Sequence, residues 1–137
     1  MVEETAPEFY RSSTALSSTS RFDIDKFKSV WSSLITSGMG VIFGIWSSGK
    51  LVGAIGGMCH PDIYGSDLVA EEFFWFVSES CRKDGIKLYR TFENWARERG
   101  AKTLQMVHLS DSMPDKLKKF YLRSGFAEIE TRYAKSL

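Results

Sequence analysis

The chain has 137 residues, enough for one domain with a proper core. Its 18 basic and 17 acidic side chains leave a formal charge of +1, which gives no electrostatic footing for nucleic acid. The acidic start MVEETAPE lacks an apolar leader and no run approaches membrane-spanning length, so the expectation is a cytoplasmic protein with no membrane partner. Two cysteines, Cys59 and Cys81, are too few for a disulfide framework and are expected as free thiols; without a Cys/His cluster no metal site is expected.

In chain order, residues 1–7 are polar and expected to be disordered, 8–16 read as a short helix, and the Ser/Thr-rich stretch 12–20 as a loop. Asp23 is placed to cap a helix running to about Ser37, with Phe27, Val30, Trp31, Leu34 and Ile35 as its apolar face. Gly38 and Gly40 end it. Residues 41–46 and 51–58 read as strands joined by a turn at 47–50 around Gly49. Gly53, Gly56 and Gly57 in the second strand point to a bulge or a close backbone approach. Residues 60–67, with His60, Pro61 and Gly65, read as a loop.

The run EEFFWFV from Glu71 to Val77 suits a strand buried on both faces. A polar loop follows at 78–84. Leu88, Phe92 and Trp95 then recur at helical spacing, with Tyr89 and Ala96 widening the stripe and Gly100 in a C-cap position. A strand leading through a loop to a helix start offers main-chain N–H groups and a favourable dipole to a phosphate. Residues 103–109, including His108, read as a strand. Ser112 and Asp115 look like a capping box, with Pro114 in the first turn of a helix that ends near Ser124 and Gly125. Residues 126–134 read as a further strand. Lys116, Lys118, Lys119 and Arg123 make a basic helix face, read as solvated.

Three stretches in this order, FWFVSESCRKDGIKL, FENWARERGAKTLQM and KKFYLRSGFAEIETRYAK, resemble the GNAT superfamily of acyl-CoA-dependent N-acyltransferases. The likeness covers roughly residues 41–135. It implies a three-layer α/β fold with a mixed, mainly antiparallel sheet, helices on both faces, and a splay where the strand at 72–77 leaves the strand at 103–109. The single domain would span 1–137. The family's first strand has no convincing counterpart in residues 1–7, so the sheet is expected to lack it or to take an edge from another chain, as a homodimer would supply.

The resemblance implies acetyl transfer from acetyl-CoA to a primary amine by direct attack. It assigns the pantetheine arm to the backbone of Phe76, Val77 and Ser78, and the pyrophosphate to Arg82, Lys83, Asp84, Gly85 and Ile86. The phosphate loop is two residues shorter than the family's and lacks its middle glycine, and Asp84 sets a negative charge where an anion belongs. Tyr121 stands where the family's tyrosine protonates the departing sulfur, and a phenol is protonated at neutral pH. A carboxylate in the region of Glu71 and Glu72 serves the family as a base; strand alternation sends these two to opposite faces, and the pattern does not choose between them. His108 is a further candidate for the amine's proton. The shortened loop also suits a second reading, a GNAT-like binding module without catalysis that acts through a protein partner. The acceptor is not legible.

Overall fold

In a computed structural model of the chain, the described residues are 10, 21–110 and 113–137. The expectations for residues 1–7 and 12–20 therefore lie outside them, as do that for 8–16 apart from Tyr10 and the Ser112 half of the capping box. The described residues divide into two compact units. One is Asp25–Val107; the other holds Tyr10, residues 21–24 and His108–Leu137.

The first unit is built on a four-stranded sheet in the order β1-β2-β3-β4, with β1 Gly40–Ser47, β2 Lys50–Pro61, β3 Leu68–Val77 and β4 Thr103–Gln105. The β1–β2 and β2–β3 pairs are antiparallel and β3–β4 is parallel. The first hairpin closes on two residues, Ser48 and Gly49, both at positive φ (48° and 76°), the turn whose twist matches that of the strands. Strand β2 is central and carries buried residues from Gly53 to Gly57, as a strand covered on both faces should.

Two helices supply that cover. Helix α2, Gly85–Glu98, lays Leu88 and Phe92 on Ile55, with Trp75 and Val77 packed around them. Helix α1, Ile24–Thr36, begins directly after Asp23 and puts Trp31 against the other face, its ring 5.2 Å from Phe74 and 6.3 Å from Phe73. Gly56 and Gly57 make both contacts feasible. A Cβ on Gly56 would strike the Phe74 ring, and one on Gly57 would strike the Phe92 ring and the Glu71 carbonyl. At the same place the β2–β3 register slips, Gly56 facing Phe74 and Gly57 facing Glu72, so Phe73 is the extra residue of a bulge. The glycines thus mark both a bulge and a close approach. Helix α2 ends in a Schellman motif: Gly100 at φ 82° donates to the Arg97 carbonyl, and the Ala101 N–H to the Ala96 carbonyl.

Several boundaries differ from the sequence expectations. The strand expected from Glu71 starts at Leu68, and His60 and Pro61 are the end of β2, paired with Val69 and Leu68. The hairpin needs only a short loop, in which the Asp62 N–H donates to the Asp67 carbonyl. The polar stretch after β3 is a 3-10 turn, Glu79–Asp84. Strand β4 stops at Gln105, leaving His108 outside the sheet.

In the second unit, helix α3 is Pro114–Arg123. Met113 occupies its N-cap at φ 46° with no side-chain cap bond. Residues 126–134 join no ladder among the described residues and are largely exposed, so they form no strand. Strand propensity is not enough without a partner edge.

Candidate active site

The feature that shapes the site is a fork between β3 and β4. Their parallel pairing covers Val69–Thr103, Ala70–Leu104 and Glu71–Gln105, and then stops. Strand β3 continues to Val77 along β2 alone. Beyond Glu71, its edge turned away from β2 has no strand beside it among the described residues.

Glu71 and Glu72 stand at the vertex, on opposite faces as alternation requires: Glu71 is registered with Met58 and Glu72 with Gly57. On the face away from α2, Glu71 Oε2 lies 3.2 Å from His60 Nε2. His60 pairs with Val69, so the two side chains are diagonal neighbours across β2 and β3. The other ring nitrogen, Nδ1, is 2.9 Å from the Pro61 carbonyl oxygen. The Pro61 carbonyl and the Glu71 carboxylate both only accept, so a neutral ring can donate to one of them at a time, and a doubly protonated ring donates to both. On the α2 face Glu72 is 3% exposed, and its Oε2 accepts the Val107 N–H at 3.1 Å. Burial pushes the Glu72 carboxyl up to about 8; the Val107 N–H opposes that shift, and the Glu71 charge adds to it.

Past the fork, β3 runs into the 3-10 turn and α2. Of the proposed pantetheine contacts, Ser78 has its N–H on the Val52 carbonyl and its own carbonyl takes the Cys81 N–H, both within the fold. Arg82 and Lys83 are exposed, and Arg82 holds Glu79 at 3.2 Å in a surface pair. Asp84 Oδ1 is 2.6 Å from Lys87 Nζ, which raises the Lys87 ammonium above its usual range. Gly85 is helical, and its N–H donates to the Arg82 carbonyl. Its missing side chain matters for packing, because a Cβ there would lie 3.2 Å from Val77 Cγ2. Ile86 is partly exposed on the first turn of α2.

In the second unit, Tyr121 is buried and fixed by the end of α3. Gly125, at φ 89°, donates to the Leu122 carbonyl and the Phe126 N–H to the Tyr121 carbonyl, a Schellman motif whose apolar contact is the Phe126 ring, 5.4 Å from that of Tyr121. His108 is exposed and feels Glu128 electrostatically. The expectation that it flanks the site from a strand fails, since β4 is too short to include it.

A protein-family model described as Acetyltransferase (GNAT) family matches residues 2–126. The chain belongs to the GNAT acetyltransferase family. As a member it is an acetyltransferase, of a class that generally uses acetyl-CoA. No curated protein sequence matches it. Among solved structures it is similar to a Pyrococcus furiosus protein taken for an acetyl transferase (23% identity, TM-score 0.67, covering 99% of this chain and 96% of that one). It is similar to a ribosomal-protein-alanine N-acetyltransferase from Brucella melitensis biovar Abortus 2308 (20%, TM-score 0.68, covering 99% and 92%). It is also similar to a transcriptional regulator from Bacillus halodurans C-125 (15%, TM-score 0.77, covering 99% and 93%). At these identities the likeness is one of fold. That fold is the α/β GNAT arrangement expected from the sequence, a mixed four-stranded sheet with helices.

Two features of this GNAT site escaped sequence reasoning. The His60–Glu71 pair was hidden because residues 60–67 read as loop; counting β2 through to Pro61 would have set His60 diagonal to Glu71. The Phe73 bulge had a signal in Gly56-Gly57, but nothing in the sequence put the extra residue on β3 rather than β2. No described helix is long and apolar enough to cross a membrane, and no described group of three or more His, Cys, Asp and Glu could hold a metal ion.

Proposed function

We propose that this single-domain GNAT protein works in the cytoplasm, moving an acetyl group from acetyl-CoA to a primary amine by direct attack. The fork carries this reading. An extended acyl-pantetheine arm has the shape of a strand, and the edge of β3 past Glu71, which β4 leaves uncovered, is where such a strand fits. Val77 offers main-chain groups along that edge and Ser78 its hydroxyl, while the Phe76 main chain is turned to β2, as the Ser78 N–H bond to the Val52 carbonyl and strand alternation require. The pyrophosphate lies by the turn, where Arg82, Lys83 and Lys87 outnumber Glu79 and Asp84, next to Gly85 and Ile86 at the start of α2. The Phe73 bulge sits beside the fork and turns main-chain polar groups out of the ladder. A thioester oxygen there would meet an oriented N–H as charge develops on it.

In the reaction the amine lone pair forms the C–N bond, the C–S bond breaks, the nitrogen gives up a proton and the sulfur gains one. Glu71 with His60 takes the first proton. Glu72 is closed off from an acceptor by burial and is not assigned that role. Tyr121 gives the second proton, a role that rests on the likeness of its segment to the family's. The test is calorimetric titration with acetyl-CoA, followed by thiol release across a panel of amines, polyamines and peptides. Absence of binding at millimolar acetyl-CoA would sink the proposal.

A further inference from the structure

Glu72 is a buried carboxyl group to which the reaction above gives no task. Its position has a geometric consequence. The last paired residues of the fork are Glu71 and Gln105. Two residues further on, the same register would set Val107 opposite Phe73, with its N–H aimed at the β3 main chain. In the structure that N–H donates instead to Glu72 Oε2 at 3.1 Å. A side-chain carboxyl stands where the next ladder bond would form. Laddered strands lie about 4.8 Å apart, and a carboxyl on its own stem cannot fit within that spacing. The bulge at Phe73, on the β2 side of the same strand, bends β3 at the same level.

We propose that Glu72 is a positioning residue that sets the width of the β3–β4 fork, and so the entry for the acyl end of the coenzyme, by holding the Val107 main chain away from β3. The proposal rests on the acetyl-CoA reading above. Glu72 acts through an acceptor oxygen and needs no charge to do so. Its burial fits that role: the group is 3% exposed, and the protonated form favoured at neutral pH still offers its carbonyl oxygen to an N–H.

Two variants separate this role from chemistry. Glu72→Gln keeps the shape and an acceptor oxygen, while Glu72→Leu keeps the size and removes the acceptor. Exchange of the Val107 amide by NMR, acetyl-CoA affinity by calorimetry and turnover are measured on all three proteins. The Gln variant is expected to keep slow Val107 exchange and coenzyme affinity and turnover within about threefold. The Leu variant is expected to exchange Val107 differently and to bind acetyl-CoA about tenfold more weakly, the worth of one buried hydrogen bond. A Gln variant with intact affinity but turnover reduced about 100-fold would make Glu72 a proton carrier and overturn the proposal. So would a Leu variant with unchanged affinity. If the Leu variant does not fold, the wild-type Val107 amide decides: as a donor to Glu72 it must exchange slowly, and exchange as fast as that of an open loop amide overturns the proposal. Should the wild type bind no acetyl-CoA, the functional reading fails, while the Val107 exchange still tests the wedge.

Discussion

His60 Nε2 lies 3.2 Å from Glu71 Oε2, joining the end of β2 to the vertex of the fork on the face turned away from α2. If the pair accepts the amine's proton, Glu71→Gln lowers kcat by about 10²–10⁴-fold, the usual worth of a positioned base. His60→Asn gives a smaller loss of the same kind. Coenzyme affinity stays constant in both. Groups acting as one unit are strongly non-additive, so the double variant should be about as slow as Glu71→Gln alone. Steady-state kinetics of the three variants checks this, and losses that simply multiply would remove His60 from the dyad.

Gly57→Ala tests the packing of the central strand. Its Cβ would meet the Phe92 ring and the Glu71 carbonyl, and main chain cannot step aside as a side chain can. A loss of about 1–3 kcal/mol is expected, the usual cost of overpacking a core. Gly49→Ala meets no neighbour within 4 Å and pays only for its φ of 76°. Thermal melts of the two variants should therefore rank Gly57→Ala well below Gly49→Ala.

The residues that specify local structure were easy to read. The α2 stripe of Leu88, Phe92 and Trp95 and its Gly100 cap follow from helical period and one special φ, and both appear where expected. The fork itself was visible as a splay, because a family-like order of segments implied it. Harder to read were features set by pairing rather than propensity. His108 and residues 126–134 have strand-like neighbours, yet β4 ends at Gln105 and no ladder reaches them. His60 read as a loop residue because Pro61 suggested a break, whereas the Pro61 nitrogen faces the β1 side beyond the point where β1 pairing begins at Gly40–Met58, so its missing N–H costs no ladder bond.

Glu72 makes stability depend on pH. Its folded-state carboxyl titrates at about 8, against an ordinary value of 4.5. In that interval the folded chain binds more protons than the unfolded one, so stability falls as pH rises. The contribution is fully present below about 4.5, declines through neutrality and is lost once pH passes about 8. Glu72→Gln removes this slope. Thermal melts from pH 5 to 9 should show the Gln variant gaining on the wild type as pH rises. Parallel curves would mean that Glu72 does not hold its proton in the folded state.

Asp84 weakens the anion site. It neutralises Lys87 at 2.6 Å and adds its own negative charge at the start of α2. Asp84→Asn should tighten acetyl-CoA binding a few-fold at low salt, and Arg82→Ala should weaken it by a similar factor. Both effects are between exposed charges and should shrink as ionic strength approaches 1 M, where the screening length is about 3 Å. Calorimetry at two salt concentrations distinguishes this from a fold defect, which salt would not erase.

Tyr121→Phe separates chemistry from packing. The Phe126 ring lies 5.4 Å and the Phe120 ring 5.8 Å from the Tyr121 ring, and a phenylalanine keeps both contacts. The Schellman bond from the Phe126 N–H goes to the Tyr121 main chain and survives any side-chain change. Stability should therefore stay within about 1 kcal/mol of the wild type, the worth of a single hydroxyl hydrogen bond. Acetyl-CoA affinity should hardly change, because the phenol is needed when sulfur leaves and not when the coenzyme binds. Turnover should fall by about 10²–10⁴-fold. Acetyl donors with better leaving thiols give the sharper readout: a sulfur that departs without a proton no longer needs the phenol. The defect of Tyr121→Phe should shrink as the thiol's pKa falls. A defect of constant size across such donors, or none at all, would leave Tyr121 as a packed residue at the end of α3 and hand the proton to water.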